Sequence, residues 1–340
     1  MWTPKEFVLK TDARSVVTQL LPHRTPIRHT ADAFAPANIA LCKYWGKRNE
    51  ALKLPLTGSL SISLGDLGTR MRIQLAEKDH LIINDEEQST ESKAFWRLFD
   101  FFNLFREPDT FFKVESINTI PMSAGLASSA SAFACAVNGL NDLYGWGLGN
   151  RERSILSRLG SGSASRSICD GFVEWNCGTR EDGMDSYAAP LPVVWPEFRI
   201  GILTLSSDKK AVGSSEGMQR TVETSTLYKS WPTQVKKDLP MIRQAIEDHD
   251  FTTLGTRAEQ NALSMHATMI SAWPPILYWQ PESIETLKQV HVLRKDGVEV
   301  FATMDAGPNV KLLFLDQDTG DIRNVFPELQ LVEPFATVTD

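Results

Sequence analysis

Residues 121–131 read PMSAGLASSAS and continue into the small, apolar run SAFACAVNGLNDLYG, which ends at Gly145. The apolar residues of this run recur at helical spacing, and glycine is common where a helix ends. Backbone N–H groups at a helix N-terminus, together with serine hydroxyls, form a ready site for phosphate oxygens. A serine-rich N-cap of a buried helix is an equally good interpretation of the composition alone. The stretch therefore predicts a helix, with an anion site at its start as one of two readings.

The segments around this helix alternate between strand-like and helix-like patterns without a regular βαβ order, which predicts an α+β sandwich. We expect a two-lobed fold with a deep cleft between the lobes: an N-terminal extension at 1–30, one lobe at 31–190 and a second at 191–340. Residues 33–47 are expected to form an apolar strand that runs into a polar turn. Further strands are expected at 59–64, 69–75 and 79–83 (as a hairpin), 110–117, 171–176, 199–206, and on both sides of the turn at Gly307-Pro308. The helices are expected at 89–105, 234–248 and 251–270.

Composition restricts the class of function. The 340 residues are 42% hydrophobic and carry a formal charge of −7, so the chain offers no general attraction to a nucleic-acid backbone. The four cysteines form no CxxC pair, which gives no sign of a disulfide framework or a metal site. No segment resembles a signal peptide or a membrane span, so we expect a cytoplasmic enzyme that binds a small molecule, with no membrane partner. A homodimer is also expected, although no residue pattern fixes the oligomeric state.

Two glycine- and serine-rich segments are candidates for anion binding. A Walker A loop is excluded in the first, PMSAGLASSAS, because GxxxxGK[ST] does not occur in the chain. The second, GSGSASR at 160–166, has Ser165 where a dinucleotide fingerprint has its third glycine, and it does not follow a strand. Arg166 can supply a planar fork for a carboxylate or phosphate. A flexible loop is an equally good reading of this segment.

Two shorter strings place charged residues beside predicted strands. KYWGK at 43–47 puts lysines and aromatics around a glycine, so Lys47 can reach an anion and Tyr44 can donate a hydrogen bond. MDAGPN at 304–309 places Asp305 between an apolar strand and a tight turn. Asp305 is a candidate base, although aspartate is also common as the first residue of a turn. Taken alone, KYWGK is better explained as a solvated turn. Asp305 in MDAGPN is then better explained as a turn-forming residue.

Taken together, the strings resemble the mevalonate diphosphate decarboxylase family of the GHMP kinase superfamily in order and in spacing. The resemblance covers most of residues 33–315 and is carried by NIALCKYWGKRNEALKLPLTGSLSISL (38–64), PMSAGLASSASAFAC (121–135), GSGSASRSICDGFVEWN (160–176), KKAVGSSEGM (209–218) and MDAGPNV (304–310). PxxxGLxSSA alone would indicate only the superfamily. The set is specific for the decarboxylases.

The resemblance implies ATP and Mg²⁺ as cofactors and a phosphorylated mevalonate as substrate. Asp305, Arg166 and Lys47 are implied as catalytic. The positions implied to hold the phosphates of ATP are Pro121, Gly125, Leu126, Ala127, Ser128, Ser129, Ala130 and Ser131. Those implied to hold the phosphorylated mevalonate are Asn38, Tyr44, Trp45, Gly46, Lys47, Lys93, Ser161, Gly162, Ser163, Ala164, Ser165, Arg166, Ser214 and Ser215.

The expected reaction is ATP-dependent decarboxylation of (R)-5-diphosphomevalonate to isopentenyl diphosphate. The chain departs from the family at residues 55–61, PLTGSLS where P-x-N-S-S-L-S is usual, and at Ser165, where cysteine is common. The first departure leaves open a decarboxylase for the 5-monophosphate or a mevalonate 3-kinase. A catalytically silent protein that binds a metabolite is the alternative from another class, although Asp305 and Arg166 are both present.

Overall fold

The computed structural model describes residues 12–119, 128–206 and 210–336, without the side chain of Ser128. Two antiparallel-rich sheets organise these residues, one from each half of the chain. The mixture of sheets and helices confirms the α+β expectation. The phosphate-loop positions Pro121, Gly125, Leu126 and Ala127 lie outside the described residues.

The N-terminal half forms a seven-stranded sheet in the order β6-β5-β7-β4-β8-β9, with β1 paired to β4. Its strands are β1 (Thr30–Cys42), β4 (Ser59–Ala76), β5 (His80–Ile83), β6 (Glu86–Glu87), β7 (Phe111–Asn118), β8 (Phe172–Trp175) and β9 (Ala188–Pro190); β2 (Lys47–Asn49) and β3 (Leu54–Pro55) form a separate ribbon. Its helices are α1 (Ala13–Leu20), α2 (Lys93–Phe102), α3 (Ser128–Tyr144) and α4 (Asn150–Gly160), followed by a 3-10 helix at Gly162–Ile168.

The C-terminal half forms a four-stranded sheet in the order β11-β12-β10-β13. Its strands are β10 (Phe198–Leu203), β11 (Phe301–Met304), β12 (Val310–Leu315) and β13 (Gln330–Val332). Its helices are α5 (Ser214–Thr224), α6 (Trp231–Glu247), α7 (Phe251–Ile270), α8 (Pro281–Lys295) and α9 (Thr319–Val325), with 3-10 turns at Thr226–Ser230 and Asp316–Asp318.

Two features of β1 and β4 position the site. β4 is long enough to pair with β8 through Ser59–Ile62 and with β7 through Thr69–Ala76. β1 follows β4 along its length, but the register shifts between Pro36 and Asn38. Proline cannot donate to the ladder and is typical of such a bulge. Asn38 therefore lies next to the point where the strand changes register.

The predicted hairpin between 69–75 and 79–83 does not form. The segment 69–75 is the end of β4, and β5 pairs in parallel with β7 instead. Several observed helices carried no sequence prediction, namely α1, α4, α5, α8 and α9. The hairpin prediction was wrong because β7, which is distant in sequence, provides the better partner for β5.

Candidate active site

A cavity of about 760 Å³ lies between the two halves of the molecule. Its wall is formed by the start of α3, the 3-10 helix after α4, the start of α5, one face of α2 and the turn after β11. The predicted site residues that line it are Asn38, Tyr44, Trp45, Lys47, Lys93, Ser129, Ala130, Ser161, Gly162, Ser163, Arg166, Ser214, Ser215 and Asp305. The fold thus gathers segments that lie far apart in the sequence.

Asp305 follows β11 and is surrounded by lysines. Its Oδ1 accepts a hydrogen bond of 2.8 Å from Lys43 Nζ, and its Oδ2 lies 3.7 Å from Lys311 Nζ. Burial raises the pKa of a carboxyl, but Lys43, Lys311 and Lys210 outweigh that effect, so the pKa of Asp305 is held well below its usual range. The side chain is 29% exposed. Asp305 is therefore an ionised acceptor that faces the cavity.

Lys43 and Lys311 are both buried, and each ammonium donates a hydrogen bond to a backbone carbonyl. Lys43 Nζ also donates to the Ala40 carbonyl at 2.8 Å, and Lys311 Nζ donates to the Asn309 carbonyl at 3.3 Å. Burial lowers the pKa of both ammonium groups, and Asp305 opposes that shift. A buried ammonium without an anion is costly, so the carboxylate and the two lysines stabilise one another in their charged forms.

Arg166 is held in a fixed plane by partners on two strands. Its Nε and Nη2 donate to Asn38 Oδ1 at 3.3 and 3.2 Å, and its Nη1 donates to Ser59 Oγ at 2.6 Å. Asn38 Nδ2 in turn donates to Ser167 Oγ at 2.8 Å. Burial lowers the pKa of Arg166 to about 10, so it is still a cation at neutral pH. Its guanidinium presents a preset fork to the cavity.

The KYWGK turn is held from the C-terminal half. Asn261 Oδ1 accepts from the Lys43 N–H at 2.8 Å, while Tyr228 Oη and Trp231 Nε1 both donate to the Trp45 carbonyl, at 3.1 and 2.8 Å. Gly46 has a φ of +120°, and a Cβ there would lie 1.7 Å from Tyr228 Oη. Only glycine fits this position.

Tyr44 and Lys47 point toward the cavity from the same turn. Tyr44 Oη has no hydrogen-bond partner within the described residues, and burial raises the pKa of this phenol. A Cβ at Gly162 would lie 2.7 Å from Tyr44 Oη, so glycine is needed where the two segments meet. Lys47 Nζ is 2.7 Å from Glu50 Oε2. An unpartnered phenol at a cavity wall is available to a ligand.

The serines predicted to bind ligand lie in two different environments. Ser161 Oγ lies 3.5 Å from Ser129 Oγ and 3.3 Å from Ser163 Oγ, which joins the start of α3 to the 3-10 helix. Ser214 and Ser215 are exposed at the start of α5. Four other predicted positions do not line the cavity: Gly46, Ser131, Ala164 and Ser165.

Sequence reasoning missed several cations and one histidine. Lys43 and Lys210 stand inside the strings KYWGK and KKAVGSSEGM, and Lys311 interrupts an apolar strand, which is itself a signal of a buried charge. Lys53, inside the string 38–64, and Arg97, which belongs to no recognised string, also line the cavity. His266 Nε2 lies 3.1 Å from the Asp305 carbonyl, and burial lowers its pKa to about 3. Only the fold brings this neutral imidazole to Asp305.

None of the helices within residues 12–119, 128–206 and 210–336 is both long enough and apolar enough to cross a membrane. In the same ranges, no three His, Cys, Asp or Glu side chains are grouped so as to hold a metal ion. The cavity itself contains three carboxylates, those of Asp100, Glu216 and Asp305.

The sequence matches two family models in succession. Residues 35–188 match the diphosphomevalonate decarboxylase-like N-terminal domain, and residues 200–335 match the mevalonate 5-diphosphate decarboxylase C-terminal domain. The diphosphomevalonate decarboxylase mvd1 of Aspergillus fumigatus is 37% identical over 315 residues, which cover 86% of this chain and 78% of the relative. The two matches leave the segment before residue 35 outside the family models.

Solved structures agree with this match. The mevalonate diphosphate decarboxylase of Staphylococcus aureus has a TM-score of 0.85 and 35% identity, covering 91% of this chain and 96% of that chain. A structure described as MDDEF in complex with MVAPP, AMPPCP and magnesium has a TM-score of 0.83 and 37% identity, covering 89% and 96%. The chain therefore belongs to the diphosphomevalonate decarboxylase family.

Proposed function

We propose that the chain catalyses ATP-dependent decarboxylation of (R)-5-diphosphomevalonate to isopentenyl diphosphate, with ADP, phosphate and CO₂ as the other products. The observation that carries the proposal is the placement of Asp305 and Arg166 in one cavity. One is an ionised acceptor for a hydroxyl, and the other is a fixed fork for a carboxylate. The reaction needs both, and the family of the chain performs it.

The residues present fit ATP with Mg²⁺. The start of α3 supplies backbone N–H groups and Ser129, and the cations Lys53 and Arg97 also line the cavity. Mg²⁺ is commonly bound by substrate phosphates together with only one or two carboxylates, so three carboxylates in the cavity are sufficient. Bound there, the metal would neutralise charge on the phosphates. A related structure contains AMPPCP, an analogue of ATP, and magnesium.

In the first step, the 3-hydroxyl oxygen attacks the γ-phosphorus of ATP, and the bond to the ADP oxygen breaks. Asp305 accepts the hydroxyl hydrogen and aims the oxygen. Because the surrounding lysines lower its pKa, Asp305 is a weak base. Phosphoryl transfer passes through a loose transition state, in which positioning and charge neutralisation contribute most. A weak but well-placed acceptor is sufficient, and the proton leaves late.

In the second step, the C3–O bond breaks and phosphate departs. The C1–C2 bond then supplies its electron pair to a C2=C3 double bond, and C1 leaves as CO₂. Arg166 holds the C1 carboxylate so that the C1–C2 bond lines up with the departing phosphate. Lys43 and Lys311 stabilise the negative charge that develops on the leaving oxygen.

A decarboxylase for the 5-monophosphate is the nearest alternative. The departure from the family at residues 55–61 suggested it, but neither Thr57 nor Gly58 lines the cavity. A Cβ at Gly58 would lie 2.7 Å from Leu239 Cδ2, so packing against α6 accounts for the glycine. The serines of the 3-10 helix and of α5, with Lys47, supply enough donors for a diphosphate. We therefore retain the 5-diphosphate as substrate.

The decisive experiment supplies ATP and Mg²⁺ with mevalonate, its 5-phosphate or its 5-diphosphate, and follows ADP and CO₂ separately. We expect equal amounts of ADP and CO₂, and the highest kcat/KM with the 5-diphosphate. ADP without CO₂ would indicate a 3-kinase. A tenfold preference for the 5-phosphate would replace the proposed substrate, and no turnover with any of the three would favour a silent binding protein.

Three further proposals accompany this function. The lobes are proposed at 31–190 and 191–340, after an N-terminal extension at 1–30. A cytoplasmic location and a homodimer are also proposed, on the basis of the sequence alone. Size-exclusion chromatography with light scattering tests the oligomeric state.

A further inference from the structure

The backbone N–H group of Lys43 needs a hydrogen-bond partner from outside its own strand. β1 and its pairing with β4 end at Cys42, one residue earlier. Lys43 is 1% exposed, so its main chain is shielded from bulk water. A buried N–H group without a partner costs free energy comparable to a lost hydrogen bond. Asn261, on α7 in the C-terminal half, is that partner, because its Oδ1 accepts from this N–H group at 2.8 Å.

A carboxylate on α6 determines which end of the Asn261 amide faces Lys43. Asp238 is fully buried, and its Oδ2 accepts a hydrogen bond of 2.8 Å from Asn261 Nδ2. Gln234 Nε2 donates to the other carboxylate oxygen, also at 2.8 Å. A backbone N–H group can only donate and a carboxylate can only accept, so one orientation of the Asn261 amide satisfies both neighbours. Asp238 therefore holds Asn261 with its Oδ1 toward Lys43.

The same helix supports the carboxylate that pairs with Lys43. Nε2 of His266, on α7, lies 3.1 Å from the Asp305 carbonyl, and it is the donor because a carbonyl oxygen can only accept. Lys43 Nζ and Asp305 Oδ1 are 2.8 Å apart. α7 thus holds the main chain of both members of this ion pair, through Asn261 on one side and His266 on the other. A shift of either contact would change the distance between the two charges.

We propose that Asn261, oriented by Asp238, is a positioning residue for the reaction: it fixes the main chain at Lys43 and so keeps the Lys43 ammonium against Asp305. The inference rests on the proposed function, because it concerns how the Lys43–Asp305 pair is kept in place for that reaction. Asn261 and Asp238 do not line the cavity, so neither is placed to contact a substrate there. Their effect is on the chemical step and not on the binding of either substrate.

The test is Asn261→Leu, which keeps a similar side-chain shape but offers no acceptor to the Lys43 N–H group. The kcat for CO₂ release from 5-diphosphomevalonate is expected to fall roughly 10–100-fold, because a small misplacement of a catalytic group has an effect of this size. The KM values for ATP and for 5-diphosphomevalonate should be unchanged, since only the chemical step is affected. Steady-state kinetics measure these constants, and circular dichroism gives the folded fraction to which kcat is normalised.

Asp238 provides a paired test and α3 a matched control. Asp238→Leu should reproduce the loss of kcat, because Asn261 Nδ2 then has no acceptor and the amide is free to turn. Asp238→Asn keeps an acceptor for Nδ2 and should restore most of the wild-type kcat. The control is Asn138→Leu: Asn138 is a part-buried asparagine that donates to the Phe34 carbonyl of β1 at 3.0 Å and does not line the cavity. This variant should lower the melting temperature and leave kcat unchanged.

An unchanged kcat in Asn261→Leu or in Asp238→Leu would overturn the inference, as would an equal loss in Asn138→Leu or in Asp238→Asn. A rise in either KM in place of the fall in kcat would also overturn it. If only one of the two leucine variants at 261 and 238 folds, that variant decides by the same criteria. If neither folds, the two residues are structural and the inference is overturned. Failure of the proposed function is a separate result, because the wild-type protein would then release no CO₂.

Discussion

Arg158 and Arg166 are both buried, and burial lowers the pKa of each to about 10. Their partners differ. Arg158 donates from Nε to the Leu52 carbonyl at 3.0 Å and from Nη1 to the carbonyls of Gly183 and Ser186. Arg166 donates to the side chains of Asn38 and Ser59 and lines the cavity.

The comparison shows that burial and charge alone do not mark a functional arginine. Arg158 joins the segment at Leu52 to the turn that contains Gly183 and Ser186, and it does not line the cavity, so its charge serves the fold. Arg166 is held by side chains that fix its plane while its guanidinium still faces the cavity. Partner type and access to the cavity therefore distinguish the arginine that we propose to be catalytic from the structural one.

The largest effect is expected for Asp305→Asn, which removes the anion that faces the cavity with Arg166. Loss of the acceptor should lower kcat by about 10²–10⁴-fold, and lost orientation adds to this. Melting temperature should also fall, because Lys43 and Lys311 keep their buried charges without a carboxylate. Steady-state kinetics and calorimetry measure the two effects. Asp316→Asn, at an exposed aspartate, is the control. A normal kcat would show that Asp305 is only a turn-former.

The next effect is expected for Arg166→Lys, which tests the arginine that we propose to be catalytic. Lysine keeps the charge but loses the planar fork, so the carboxylate is no longer held in one orientation. A misplacement of this kind costs roughly 10² in kcat/KM for CO₂ release. Affinity for AMPPCP should be unchanged. Wild-type CO₂ release in this variant would remove Arg166 from the mechanism.

Arg158→Lys makes the same substitution in the structural member. An ammonium cannot satisfy these three carbonyls on two segments, so the free energy of unfolding should fall by about 1–3 kcal/mol. The kcat of the folded protein should stay within about twofold of wild type, since Arg158 does not line the cavity. Urea denaturation and active-site-normalised kinetics measure the two quantities. A loss of kcat as large as that of Arg166→Lys would abolish the distinction between the two arginines.

The smallest effect concerns His266, which is buried and neutral beside Asp305. Its pKa is about 3 in the folded protein and 6.5 for the ordinary side chain. Between these values the unfolded chain binds more protons, so stability falls as the pH drops from 6.5 toward 3, by at most about 1.4 kcal/mol per pH unit. His266→Gln should reduce this slope between pH 6.5 and 4.5 in urea denaturation. His29→Gln, at an exposed position, should leave it unchanged. An unaltered slope in His266→Gln would mean that His266 does not titrate in this window.

Much of the fold followed from local pattern. The apolar runs at 199–206 and 310–315 form β10 and β12, and the helices at 234–248 and 251–270 are α6 and α7 within three residues at each end. Each of these elements buries one face, and the spacing of the apolar residues along the sequence reports that burial. The hairpin at 69–83 was wrong because the choice between β4 and β7 as partner of β5 depends on packing across the sheet.

The sequence by itself determined the family and most of the cavity wall, because the strings KYWGK, GSGSASR and MDAGPN carry their chemistry in short, recognisable spacings. Tertiary structure alone decided which lysines surround Asp305, and that Arg166 lines the cavity while Arg158 does not. Lys43 and Asp305 are 262 positions apart, yet their charged atoms are 2.8 Å apart. Coulomb energies and desolvation depend on distance and burial in space. No pattern along the chain reports either quantity.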